Sequence, residues 1–313
     1  MASRILNALN TILRAPFKIN ALKSEVLALN EQVADQKILS GKILSGMNRQ
    51  RAPEIIKDIH LAEFKVFSQW GDDGIIQFLI NYLDIETKTF VEFGVEDYRE
   101  ANTRFLLLNN NWSGLVMDGS ATNMLKLKKE DIYWKYNLTA ATQFITKENI
   151  NSLLKTNGIY GETGLLHIDI DGNDYWIWKE ISVISPVIVI VEFNSVFGLN
   201  PWTVPYESSF NRTAHHSSNL FWGCSVSSLC DLAETKGYAF IGCNSNGVNA
   251  YFVRKDKMKD LIPLNAENGY VESKYRESRD KEGVPTFLSG EDRLKELKGM
   301  TVFNSRLEKT EII

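Results

Sequence analysis

Apolar residues return at alternating steps of three and four through the first fifty positions: Ile5, Ala8, Ile12, Ala15, Ile19, Leu22, Val26, Leu29 and Val33. Gln36, Ser40, Ile43 and Met47 continue the series. Such a heptad seam predicts a coiled-coil helix. With Ile19 at position a, Val26, Val33 and Met47 also fall at a, while Leu22 and Leu29 fall at d. β-branched a positions with Leu at d favour a parallel dimer, with a trimer as the alternative. The polar Gln36 and Ser40 weaken the zipper, so assembly should also draw on contacts between globular domains. Pro16 is expected to divide the arm into two helices, because proline removes a backbone hydrogen bond and collides with the preceding turn.

From about Thr89 the period changes. Seven short β-rich runs read as strands: TFVEFGV, SGLVMDG, IYWKYNLT, LLHIDID, VIVIVEF, YAFIG and NAYFVR. Helical windows such as ANTRFLLLNN, NMLKLKKED and KENINSLLK separate the first five, which is the βαβ rhythm of a parallel sheet covered on both faces. The turn-rich CNSNGV is short enough to make the last two a hairpin. The expected fold class is therefore α/β: a Rossmann-like sheet, mostly parallel, with an antiparallel last strand and an N-terminal helical arm. Residues 1–50 form the arm, and residues 51–313 the domain, ending in a helical tail.

Composition narrows the partners. Apolar residues make up 44% of the chain and charged residues 24%, an ordinary globular balance. A net charge of −4 argues against nucleic acid, whose phosphates are met by an excess of Lys and Arg. Cys224, Cys230 and Cys243 lack CxxC spacing and read as small buried hydrophobes in a reducing compartment. No run approaches the ~18 apolar residues of a membrane span, and the first residues lack a signal-peptide pattern, so a cytoplasmic protein is expected. Arg4, Arg14, Lys18 and Lys23 precede the first acid, Glu25. They allow peripheral contact with an anionic membrane face, the alternative being a solvated start to the coiled coil.

The polar residues of interest collect at strand ends: Glu92 and Gly94, Asp118, Asn137 and Thr139, Asp169 and Asp171, Glu192 and Asn194. In a parallel sheet, those ends face the ligand crevice. Asp118 stands where such sheets place an acid on ribose hydroxyls; its alternative role is to cap the helix NMLKLKK. VEFGVEDYRE has one glycine and acids where a pyrophosphate would rest, so a dinucleotide is disfavoured. S-adenosylmethionine (SAM), which carries a nucleoside without phosphates and a sulfonium cation, suits the acids better.

FSQWGDDGII, FVEFGVED, ANTRFLLL, WSGLVMDG, HIDIDGNDYWIWKEI, VIVEFN, GVNAYFVR and YRESRD with FLSGEDRL together resemble the FkbM-like class I SAM-dependent methyltransferases. The resemblance runs from about Phe67 to Gly299 and leaves the arm outside it. It implies that Glu92 and Gly94 lie against the methionine end and ribose of SAM, and that Asp118 accepts the ribose hydroxyls. Ser68 and Gln69 match the entrance motif and would help close the cofactor site. Val95, Glu96, Asp97 and Tyr98 stand where relatives carry a small residue and a DG pair.

Strand alternation puts His167, Asp169 and Asp171 on one side and Leu166, Ile168 and Ile170 on the other. Should the fourth and fifth strands be neighbours, Asp169, Asp171, Glu192 and Asn194 converge as oxygen ligands for Mg²⁺ or Mn²⁺. The alternative is that Asp169 meets SAM or a backbone amide while Asp174 caps the helix YWIWKE. Methyl transfer to a hydroxyl needs a base. Of the four histidines, His60 precedes the domain and His167 lies inside a strand. His215 and His216, in the insertion after the fifth strand, are therefore the catalytic candidates beside Asp171. The same insertion holds Phe197, Trp202, Tyr206, Phe210, Phe221 and Trp222, rings that suit a sugar face or pin the loop to the core.

The reading is an O-methyltransferase acting on a sugar hydroxyl of a bacterial surface polysaccharide, O-antigen or capsule, or its precursor. The alternatives are methylation of a small natural product, or a non-catalytic coiled-coil scaffold.

Overall fold

The computed structural model describes residues 18–313, and the N-terminal helix to which its first part belongs is bounded Ala2–Gln50. The break expected at Pro16, the seam positions Ile5 to Ala15, and Arg4 and Arg14 lie outside the described residues.

Seven strands form the main sheet: β1 (Thr89–Phe93), β2 (Ser113–Asp118), β3 (Leu138–Thr142), β4 (Gly161–Ile168), β5 (Ile184–Glu192), β7 (Tyr238–Cys243) and β8 (Asn249–Arg254). β6 (Trp202–Thr203), β9 (Thr301–Asn304) and β10 (Lys309–Ile312) make a second, small antiparallel sheet. The main sheet runs β3-β2-β1-β4-β5-β8-β7, with β1 to β5 parallel. β8, the last strand of this sheet in chain order, is antiparallel to β5 and to β7, and is inserted between them. The order reverses between β1 and β4, which opens a crevice at their carboxyl ends.

Alternation along the central strands fills two cores. Phe90, Leu165, Ile188 and Ile190 pack on one face with Ile75 and Leu79 of the helix Asp72–Tyr82. Val91, Phe93, Leu166, Ile168 and Val189 pack on the other with Trp178 and Leu229. Fully burying one such side chain contributes about 1.5–3 kcal/mol, so a one-residue slip of any central strand would be prohibitive.

Two expected boundaries shift. The run IYWKYNLT is not a strand from its start: Asp131–Lys135 is a helical turn, with Asp131 and Lys135 paired at 2.8 Å across one turn. β3 begins only at Leu138, so Asn137 lies at its amino end and Thr139 in its middle. The tail holds the short helix Glu291–Glu296 and then the β9–β10 hairpin, which pairs with β6. Phe197, Val204, Phe221 and Trp222 join Leu297 and Val302 in a third apolar cluster there. Most rings of the insertion thus pin it to the C-terminal segment.

The N-terminal helix does not end at the domain's edge. Gly41, Ser45 and Asn48 are buried, and Ala34 and Ile38 partly so, against the helices Asp72–Tyr82 and Arg104–Asn110 and their surroundings. Asn48 Nδ2 donates to the Ala62 carbonyl at 2.8 Å. Gly41 is required by space: a Cβ there would fall 2.7 Å from Phe105 and 2.8 Å from Val66. The predicted seam, Ile19, Leu22, Val26, Leu29, Val33, Ile43 and Met47, faces away and stays exposed. Among the described residues no helix is long and apolar enough to cross a membrane.

Candidate active site

A two-lobed cleft occupies the crevice. One lobe, about 340 Å³, lies over β1, β2 and β4; the other, about 270 Å³, lies over β1, β4, β5 and β8. Gly94, Glu96, Asp169 and Asp171 line both lobes. Gly94 has φ +71°, a region that L side chains rarely adopt, and a Cβ on it would lie 1.6 Å from the Asp169 carbonyl oxygen. The neck between the lobes therefore exists only because no side chain is there.

Asp118 lines the first lobe, with Asn123, Gln143, Phe144 and Ile145. Its carboxylate accepts the Glu96 amide at 2.9 Å and the Ser120 amide at 2.7 Å, which ties the loop after β1 to the end of β2. Ser120, not Asp118, caps the following helix by accepting the Asn123 amide. Gln143 and Phe144 take the place expected for Asn137 and Thr139. The helical turn Asp131–Lys135 hides them in the sequence, because β3 starts only at Leu138 and ends at Thr142, directly before them. Without a glycine-rich loop, the turn after β1 uses left-handed Glu96 (φ 47°) and Tyr98 (φ 64°).

Glu92 faces the second lobe but is 2% exposed and saturated by donors. It accepts His167 Nδ1 at 2.9 Å, the Asn102 amide at 2.9 Å, the Thr103 amide at 3.1 Å and the Thr103 hydroxyl. Burial alone would raise its pKa; His167, Thr103 and Asn102 overcome this and hold it below the usual carboxylate value. Burial likewise pulls His167 down, and the hydrogen bond and charge of Glu92 reverse that, so His167 is raised. His167 Nε2 lies 3.1 Å from the Asn102 amide nitrogen. Glu92 thus braces β1 to β4 and shapes the lobe, instead of offering a free carboxylate.

The entrance motif behaves the same way. Asp73 Oδ2 accepts the amides of Val66, Phe67 and Ser68 at 2.7 to 2.8 Å and the Ser68 hydroxyl at 2.8 Å. Ser68 is wholly buried, while Gln69 reaches the polar lobe.

Asp169, Asp171 and Glu192 do meet at the rim, lining the polar lobe together. Burial, then the Asp171 charge, pushes Asp169 up to about 7. Burial, Asp169 and Asp171 push Glu192 well above the usual range, opposed by Arg212. Asp171, left-handed at φ 56°, pairs with Arg212 at 3.0 Å. Arg212 also reaches Glu277 at 3.3 Å and lies over the Trp222 ring at 4.7 Å. Asp174 is not the helix cap. It is the first helical residue, and its carboxylate turns back to the amides of Ile170 (2.8 Å) and Gly172 (2.9 Å), bracing the turn that carries Asp171.

The expected metal ligands do not form a set. Asn194 turns away, donating to the carbonyls of Leu220 and Trp222 at 2.9 Å and accepting the Val196 amide at 3.0 Å. Asp171 is held by Arg212, and among the described residues no group of three or more His, Cys, Asp or Glu is arranged to hold an ion.

Neither candidate histidine lines the cleft. His215 Nε2 bonds Glu207 at 2.9 Å, and its ring stacks on Phe210 at 4.2 Å, facing an outer groove. His216 Nδ1 bonds the Ser218 hydroxyl at 2.7 Å. From the insertion, Phe210 and Arg212 are the residues that reach the cleft. Phe210 gets there because Gly172 makes room, since a Cβ on that glycine would fall 2.2 Å from the ring.

No protein-family profile matches the chain, and no curated protein does. Solved structures do. A SAM-dependent methyltransferase from Clostridium acetobutylicum is 13% identical over 66% of this chain and 98% of its own, with a TM-score of 0.39. The N-terminal domain of EvdMO1 with S-adenosylhomocysteine (SAH) bound is 11% identical over 66% of this chain and 94% of its own, at 0.34. M. capricolum TrmK in complex with its natural cofactor product SAH is 12% identical over 53% of this chain and 60% of its own, at 0.33. By its strand order and the inserted antiparallel β8, the chain has the Rossmann-like methyltransferase fold.

Proposed function

We propose that the protein is a SAM-dependent O-methyltransferase of the FkbM-like kind, acting on a sugar hydroxyl of a bacterial surface polysaccharide or its precursor. One observation carries the reading: a cleft at the switch point whose two unlike halves meet at the Gly94–Asp169 neck. The first half joins an acid to apolar surface, and the second is lined by amides and carboxyls.

The first half fits SAM. Asp118 has lone pairs left beyond the two amides it accepts, enough for ribose hydroxyls. Phe144, 57% exposed, and Ile145 offer apolar surface to a base. Glu96 and Asp118 would repel a dinucleotide's phosphates. When bound, SAM supplies an electrophilic methyl group on a sulfonium centre. The neck sets the distance between the halves, and catalysis of this kind rests mainly on positioning.

In the second half, the amides of Gln69 and Asn102 suit neutral hydroxyls. Of the three residues expected to handle the hydroxyl proton, Asp171 lines both lobes and is retained in that role. In the same reading residues 1–50 assemble copies of the chain through the exposed Ile19–Val26 stretch of the seam. The enzyme would work in the cytoplasm, with the basic start of the arm at the inner membrane face.

Calorimetry tests the cofactor. SAM and SAH should bind the wild type and lose at least about tenfold in affinity in Asp118→Ala. Absence of binding to the wild type ends the reading. Methyl transfer to polysaccharide acceptors, compared with small hydroxyl compounds, then separates the two acceptor classes.

A further inference from the structure

Among the described residues, two buried side-chain oxygens of residues lining the polar lobe have no hydrogen-bond partner: Glu192 Oε2 and Asn249 Oδ1. Glu192 is 8% exposed and Asn249 4%, both line the lobe, and they stand opposite each other on the paired strands β5 and β8. Their own neighbours cannot satisfy them. Asn249 Nδ2 donates to Asp72 Oδ1 at 3.0 Å, and that same oxygen takes the Tyr251 hydroxyl and, at 3.1 Å, the Asn244 amide. Turning the Asn249 amide over would set its oxygen against this carboxylate, so Oδ1 is committed to the cleft side. A buried acceptor left bare costs about 1–3 kcal/mol. Two such acceptors, on residues paired across β5 and β8 and lining one lobe, call for a ligand that brings two donors.

We propose that Glu192 and Asn249 are the acceptor-binding pair of this lobe, receiving two neighbouring hydroxyls of an uncharged saccharide. The inference rests on the transferase reading above and names how the same cleft selects its acceptor. Charge decides against an anionic sugar. Asp169, Asp171 and Glu192 surround the position, and the nearby cation, Arg212, is already divided between Asp171 and Glu277. A lone hydroxyl would leave one of the two oxygens bare, whereas adjacent ring hydroxyls supply both donors from one side. Among substrates, discrimination of this type is strong, because a ligand lacking the donor leaves a buried polar group unpaired.

The test uses the full chain saturated with SAH, probed by saturation-transfer NMR and calorimetry with the methyl glycosides of glucose, galactose, mannose and rhamnose. Glucuronate and glucosamine serve as charged controls. At least one methyl glycoside is expected to bind, and Glu192→Gln and Asn249→Leu should each weaken it by about tenfold or more. SAH affinity, unchanged within about twofold, reports that each variant is folded. Glu192→Gln keeps the side chain's volume, so it remains informative if Asn249→Leu disturbs Asp72. The proposal is overturned if the glycosides bind both variants as they bind the wild type, if only a charged control binds, or if no glycoside binds the SAH complex. Should SAH itself fail to bind, the cofactor reading falls, while glycoside binding to the unliganded wild type and variants still decides the role of the pair.

Discussion

Gly94 at the end of β1 lies directly against the backbone carbonyl of Asp169 at the end of β4, so close that a Cβ would come within 1.6 Å of the oxygen. The contact closes the sheet's switch point and makes the neck common to both lobes. Gly94→Ala must spread the two strand ends or unwind the φ of +71°, at a cost on the order of 2–4 kcal/mol. SAM affinity should fall about 100-fold or more, because the cost falls on the cofactor half directly. Calorimetry and a thermal melt check this. An alanine variant that binds SAM like the wild type would show that the neck is not part of the cofactor site.

Burial also predicts how stability follows pH. Burial pushes Asp73 up to about 6 against the pull of its bonds to Ser68, Val66 and Phe67. Asp174 is raised to about 6 and Asp169 to about 7, again chiefly by burial. For a raised acid, the folded chain keeps a proton that the unfolded chain has already released, so stability falls as pH climbs from the ordinary value of about 4 through the folded one. His167, raised by Glu92 against burial, adds stability that is full below about 6.5 and lost above its folded value. Glu92, held low, opposes the trend only in acid, as pH drops below about 4.5. The melting temperature should therefore be higher at about pH 5 than at pH 8. Asp73→Asn keeps one acceptor oxygen for Val66, Phe67 and Ser68, and should flatten the slope by roughly 1–1.5 kcal/mol between pH 5 and pH 8. Thermal melts of both proteins in a pH series measure it; a melting temperature that rises steadily toward pH 8 would contradict the assignment.

Two truncations separate the arm's two faces. Removing residues 1–33 takes away most of the exposed seam and leaves Gly41, Ser45 and Asn48 docked. Light scattering should then show a monomer, with the melting temperature nearly unchanged. Removing residues 1–50 also uncovers Phe105 and Val66, and should lower the melting temperature by about 4 °C or more. If the shorter deletion remains oligomeric, the seam is not what joins the copies.

Much of this was legible in one dimension because it depends on periodicity and on position along a strand. Alternation in TFVEF, LLHI and VIVIVE marked buried parallel strands, since each central strand must satisfy two apolar faces. Acids just past those strands marked the crevice, because a chain leaving the carboxyl end of a sheet has nowhere else to put them. The heptad seam was visible for the same reason, but not the second face of small residues with which that helix grips the domain. Only the fold brings Phe105 up to Gly41. What tertiary structure alone decided is which polar atoms are spent and which are free. Glu92 is consumed by His167, Asn102 and Thr103, Asn194 by carbonyls far along the chain, and His215 by Glu207, whereas Arg212 and Asn249, which stand at no carboxyl end of a parallel strand, reach the cleft. Hydrogen-bond partners are chosen by proximity in space, and residues 75 positions apart, such as Glu92 and His167, become neighbours only when β1 and β4 pair.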